Sequence, residues 1–64
     1  MTMNAAYRSA RELAARDHAP AFVVRREDAD RRWTEYLAVS QDVAEAGVTE
    51  DGHAVSFFDF VLPA

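Results

Sequence analysis

The side chains in this sequence that could do chemistry are its carboxylates, its arginines and two histidines, and they are unevenly placed. Residues 1–34 hold seven arginines against five acids, whereas residues 35–64 hold six acids and no arginine or lysine. Glu35, Asp42, Glu45, Glu50, Asp51 and Asp59 therefore have no counterion close by in the C-terminal half. Carboxylates gathered without counterions attract a cationic partner over a Debye length of about 8–10 Å, speed the encounter and repel nucleic acid. A second concentration of charge is Arg25-Arg26-Glu27-Asp28-Ala29-Asp30-Arg31-Arg32. Arginine forks there suit phosphates or carboxylates of a partner, while pairing with Glu27, Asp28 and Asp30 would neutralise them within the turn. A pI of about 4.9 also denies the chain the net basic footprint that nucleic-acid binding requires.

Nothing in the pattern organises catalysis. His18 and His53 fit no zinc or calcium spacing and read as a helix-end and a turn histidine. With no cysteine there is no disulfide, thiolate metal site or thiol nucleophile, which suits a reducing cytoplasm. Ser9, Ser40 and Ser56 lack a nucleophile-elbow frame, and Ser40 reads as a helix cap. The pairs Glu12 with Asp17 and Asp42 with Glu45 lie about one turn apart on surface positions, where nothing desolvates them as a general acid requires. Gly47 and Gly52 are too few and too isolated for a phosphate-cradling loop. The expectation is a non-enzymatic protein with neither metal nor cofactor.

The elements that must position these groups are few. Sixty-four residues, half of them apolar, form one domain spanning 1–64 with a lean core. The N-terminus carries no basic and apolar leader, and no apolar run reaches the ~20 residues of a membrane span. From Thr2 to His18, Met3, Ala6, Tyr7, Ala10, Leu13 and Ala14 recur at three- and four-residue steps, predicting an amphipathic helix capped by Thr2 or Asn4 and stopped before Pro20. Ala21 to Arg26, with Phe22-Val23-Val24, predicts a strand, and Glu27 to Arg32 its turn. Trp33 to Val39 returns as the second arm of a hairpin, and Ser40 opens a short helix through Ala46 that Gly47 ends. The rival is a single helix from Asp28 to Ala46, which would put Trp33, Tyr36, Leu37, Val43 and Ala44 on one stripe.

After an Asp-Gly turn, His53 to Leu62 predicts the last strand. Strict alternation sets Val55, Phe57 and Val61 on one side and Phe58, Phe60 and Leu62 on the other, so the strand is expected to be central or covered. Phe22, Trp33, Phe57, Phe58 and Phe60 are expected to form one cluster. The fold class is α+β, ordered α-β-β-α-β, with a small three-stranded, mainly antiparallel sheet and one amphipathic helix packed on a face.

A short, cysteine-free, acidic single domain with a base-free segment from Glu35 to Ala64 resembles the small phage-encoded anti-CRISPR proteins. The resemblance implies a viral protein acting in the cytoplasm of a bacterial host. It would be a stoichiometric inhibitor whose acidic surface mimics DNA and occupies the basic groove of a CRISPR surveillance complex, blocking target recognition. On that basis Glu35, Asp42, Glu45, Glu50, Asp51 and Asp59 bind the partner, extended by Glu27, Asp28 and Asp30, and the chain acts as a monomer. The basic first helix and the four arginines around the hairpin depart from a uniformly acidic mimic. A different class is a small antitoxin or regulatory module that dimerises through the apolar strand Phe57 to Ala64.

Overall fold

The computed structural model describes residues 1–28, 33–47 and 52–63; of these, Glu27, Asp28, Trp33 and Thr34 are described by backbone alone. The chain opens with helix α1, Met3–Asp17. Thr2 caps it, its hydroxyl accepting from the Ala5 N–H at 3.2 Å. His18 ends it in the left-handed region at φ 52°, donating its backbone N–H to the Ala14 carbonyl. Strands β1 (Ala21–Asp28) and β2 (Trp33–Ser40) pair antiparallel from Ala21 opposite Ser40 to Asp28 opposite Trp33, so the chain takes the hairpin rather than the long helix. Short helix α2, Gln41–Ala46, follows directly and ends on Gly47 at φ 70°. Ser40 occupies the cap position of α2 with no side-chain bond. Strand β3, Ser56–Val61, pairs antiparallel with β1 and completes a sheet of order β2-β1-β3.

The core is thin and built on alanine. Ala6, Ala10 and Ala14 form a four-residue-spaced stripe on α1, all 0–1% exposed, and meet Ala21 and Val23 of β1. Residues without side-chain bulk let the helix lie close to the sheet, and Tyr7, Leu13, Tyr36, Ala38, Phe58 and Val61 close the rim. Met3, expected on the buried stripe, is 43% exposed beyond the end of it.

The last strand departs from expectation in three ways. β1, which carries the buried Ala21, Val23 and Val24, is the centre of the sheet, and β3 is an edge. β3 begins only at Ser56, because the Val55 N–H is tied to the Gly47 carbonyl at 3.1 Å rather than to the ladder. Its register also shifts: Asp59 faces Val23 but Phe57 faces Val24, leaving Phe58 as an extra residue in a β-bulge. The bulge breaks the two-residue period. Phe58 meets Tyr7 and Tyr36 under the helix, with ring centroids 6.4 and 5.0 Å away. Phe57 and Phe60 both contact Phe22 on the opposite face, at 6.2 and 6.3 Å. The sheet thus divides the expected aromatic cluster in two, with the Trp33 side chain outside the described residues.

Candidate functional site

The fold distributes the predicted acidic residues instead of gathering them. Glu35 sits opposite Arg26 in the hairpin register, and its Oε2 accepts from the Arg26 guanidinium at 2.6 Å. Its other oxygen lies 3.3 Å from the Met1 ammonium, so both are engaged by cations of the same chain. This explains why Glu35 interrupts the apolar alternation of β2. Asp59 is also used internally, accepting from the Tyr7 hydroxyl at 2.5 Å and from the Phe60 N–H at 2.8 Å. The Tyr7 hydrogen bond, followed by the Phe60 N–H, holds the Asp59 carboxyl below its usual range. Reciprocally, the bond to Asp59 is the main cause that raises Tyr7, with burial and the negative charge of Asp59 adding to it.

Asp42 and Glu45 are the predicted acids that the structure places exposed on one element, α2, where Glu45 accepts from the Gln41 side chain at 3.1 Å. About five residues of strand, on the order of 16 Å, separate Glu35 from the start of α2. Asp59 lies on the other side of β1 from β2. Glu27 and Asp28 lie on β1, with side chains outside the description; Asp30, Glu50 and Asp51 fall outside the described residues. Among the described residues, no group of three or more His, Asp or Glu could hold a metal ion. An open cleft of about 360 Å³ between α1 and β2 is lined by Met1, Ser9, Glu12, Leu13, Arg16 and Ala38.

The feature that sequence reasoning placed in the core is the outer face of β3. Phe57 is 62% exposed, Phe60 50%, and Leu62, just past the strand, 64%. At 150–250 Å² per aromatic side chain, these three present roughly 300 Å² of apolar surface, which matches the largest patch of a typical monomer and is often functional. The strip carries no charge, because Asp59, the one ionisable residue of β3, is held by Tyr7 of α1 on the opposite side. The signal available in advance was the apolar run itself; the bulge that aligns Phe57 with Phe60 has no local signature. Comparison with family models, curated proteins and solved structures finds no match to this chain. Among the described residues no helix is long and apolar enough to cross a membrane.

Proposed function

We propose that this protein acts without catalysis, by stoichiometric association with protein, and that β3 is the surface through which it associates. One observation carries this reading: an edge strand exposes Phe57, Phe60 and Leu62, although a chain this small has few large apolar side chains to bury. An edge strand with an apolar face supports β-augmentation, in which main-chain hydrogen bonds give affinity and side-chain rows give register.

A second reading keeps the acidic inhibitor, anti-CRISPR-like, directed at a cationic protein groove. It is favoured by Asp42 and Glu45, which stand exposed on α2 in a segment without arginine or lysine. It rests on fewer acids than the sequence offered, since Glu35 and Asp59 are spent within the fold.

The discriminating experiment uses the tagged chain as bait in a lysate of the cells that encode it. Loss of the retained proteins with Phe57→Glu plus Phe60→Glu, at unchanged circular dichroism, supports the β3 reading. Loss with Asp42→Lys plus Glu45→Lys, together with elution by salt, supports the acidic one. Retention unaffected by either pair overturns both.

A further inference from the structure

Resting on the assignment of β3 as the association surface, we propose that its occupant is an amphipathic helix of another protein with a basic flank, lying on the outer face of β3 alongside α2.

The floor and one wall of that seat are already built. Side chains alternate across a strand, so Phe22 and Val24 point away from the face on which α1 covers Ala21 and Val23. Val24 is nevertheless only 1% exposed, and it stands outside the α1 cluster. Its cover on this second face is α2, which packs chiefly on β1 and β2 and keeps Val43 and Ala44 half-buried. β3 is not among the main neighbours of α2, and there Phe57 and Phe60 flank the Phe22 ring while remaining exposed. The Val55 N–H, bonded to the Gly47 carbonyl, ties the end of α2 to the entrance of β3, so wall and floor adjoin.

Shape selects a helix. A strand added to the edge alone extends the sheet and leaves Phe57, Phe60 and Leu62 uncovered, whereas a helix laid on the face covers all three. Strands lie about 5 Å apart, so a helix over β3 sits roughly 7–10 Å from one over β1 and β2, close to the spacing at which helices mesh.

Charge selects the flank. Asp42 and Glu45 are exposed on the solvent side of α2, in a half of the chain with no arginine or lysine. Asp59 adds a carboxylate on the far side of the floor strand, because its bonds from the Tyr7 hydroxyl and the Phe60 N–H stabilise the charged form rather than remove it. Alternation puts Arg26 on the same face as α2, where it is paired with Glu35. Arg8, Arg11 and Arg16 stand exposed on α1, across the sheet. An acidic helix is repelled from such a seat, a neutral one gains only the floor, and one with a basic flank gains both.

The test is fluorescence anisotropy of a labelled peptide of about 18 residues, long enough to hold a helix, titrated with the full chain at low salt. Leucine recurs in it at three- and four-residue steps, with lysine and alanine elsewhere. One comparison peptide carries glutamine for every lysine, and another alternates leucine with lysine as a strand would. The helical lysine peptide is expected to bind at least about tenfold tighter than either. Phe57→Ser plus Phe60→Ser, and separately Asp42→Lys plus Glu45→Lys, should each weaken it about tenfold or more at unchanged circular dichroism. If the serine pair unfolds the chain, Leu62→Ser, just past the strand, replaces it. Glu12→Lys plus Asp17→Lys on α1 changes net charge equally and should leave binding within about threefold. Equal binding of the lysine and glutamine peptides, preference for the alternating one, or equal weakening by the α1 pair overturns the proposal; β3 stands as an association surface if the serine pair still weakens binding. Binding of the lysine peptide that is indifferent to the serine pair overturns both the proposal and the β3 reading. A chain that ignores the lysine peptide, while Phe57→Glu plus Phe60→Glu still costs it retained lysate proteins, overturns the basic helical occupant alone.

Discussion

Tyr7 and Asp59 show how much one side-chain bond does in so small a fold: 52 positions apart, they tie helix α1 to the edge strand β3. Because the folded Asp59 carboxyl is depressed below its usual 3.8, its contribution is complete above that pH and is lost as pH falls through the lower folded value. Tyr7 is raised above 10.0, so its contribution is present below that pH and is lost as pH rises through the higher folded value. Tyr7→Phe should therefore move the carboxyl titration of Asp59 upward, followed by NMR of its side-chain carbon, and bring acid unfolding on at higher pH. His18 supplies a second prediction at this scale. A side chain with a Cβ in the left-handed region costs about 1–2 kcal/mol, so His18→Gly should stabilise the chain by about 1 kcal/mol. Thermal unfolding would register that as a rise of roughly 4–8 °C. Neither Asp59 nor Glu35 could be sorted from the other acids by reading along the chain, because Tyr7 and Arg26 meet them only across the sheet and the hairpin. Asp42 and Glu45 were legible because α2 is short, polar on its outer side and far from any arginine in sequence.

Elements with local instructions were readable in advance. Thr2, the alanine spacing and Pro20 define α1 within one residue at each end, and Phe22-Val23-Val24 with the Trp33 to Val39 run defines the hairpin. β3 was not readable to the same depth, since a bulge has no composition of its own and a single extra residue reverses which side chains share a face. The close seat of α1 yields a prediction proper to the element. With Ala10 fully buried against the sheet, Ala10→Leu must lift the helix, and denaturant unfolding should show a loss of about 1–3 kcal/mol. The exposed Ala15 is the control, where the same replacement leaves stability within about 0.5 kcal/mol.

For the whole molecule, the charge asymmetry and the apolar end of the chain resolve into different places. Arginine-rich α1 and the hairpin lie in one part of the chain, the exposed acids of α2 in another, and the uncharged row in β3. If α2 meets a cationic protein, binding of that protein should weaken steeply with ionic strength, whereas association through β3 should persist or strengthen in sulfate. Isothermal titration at two salt concentrations separates these behaviours. Phe58 carries a last implication. It is a supernumerary residue wedged between Tyr7 and Tyr36, so removing that one codon would restore an even ladder while emptying the seam beneath the helix. In this strand the fold depends on the count of residues as firmly as on their identity, and a chain one residue shorter here would superpose only with a gap at 58.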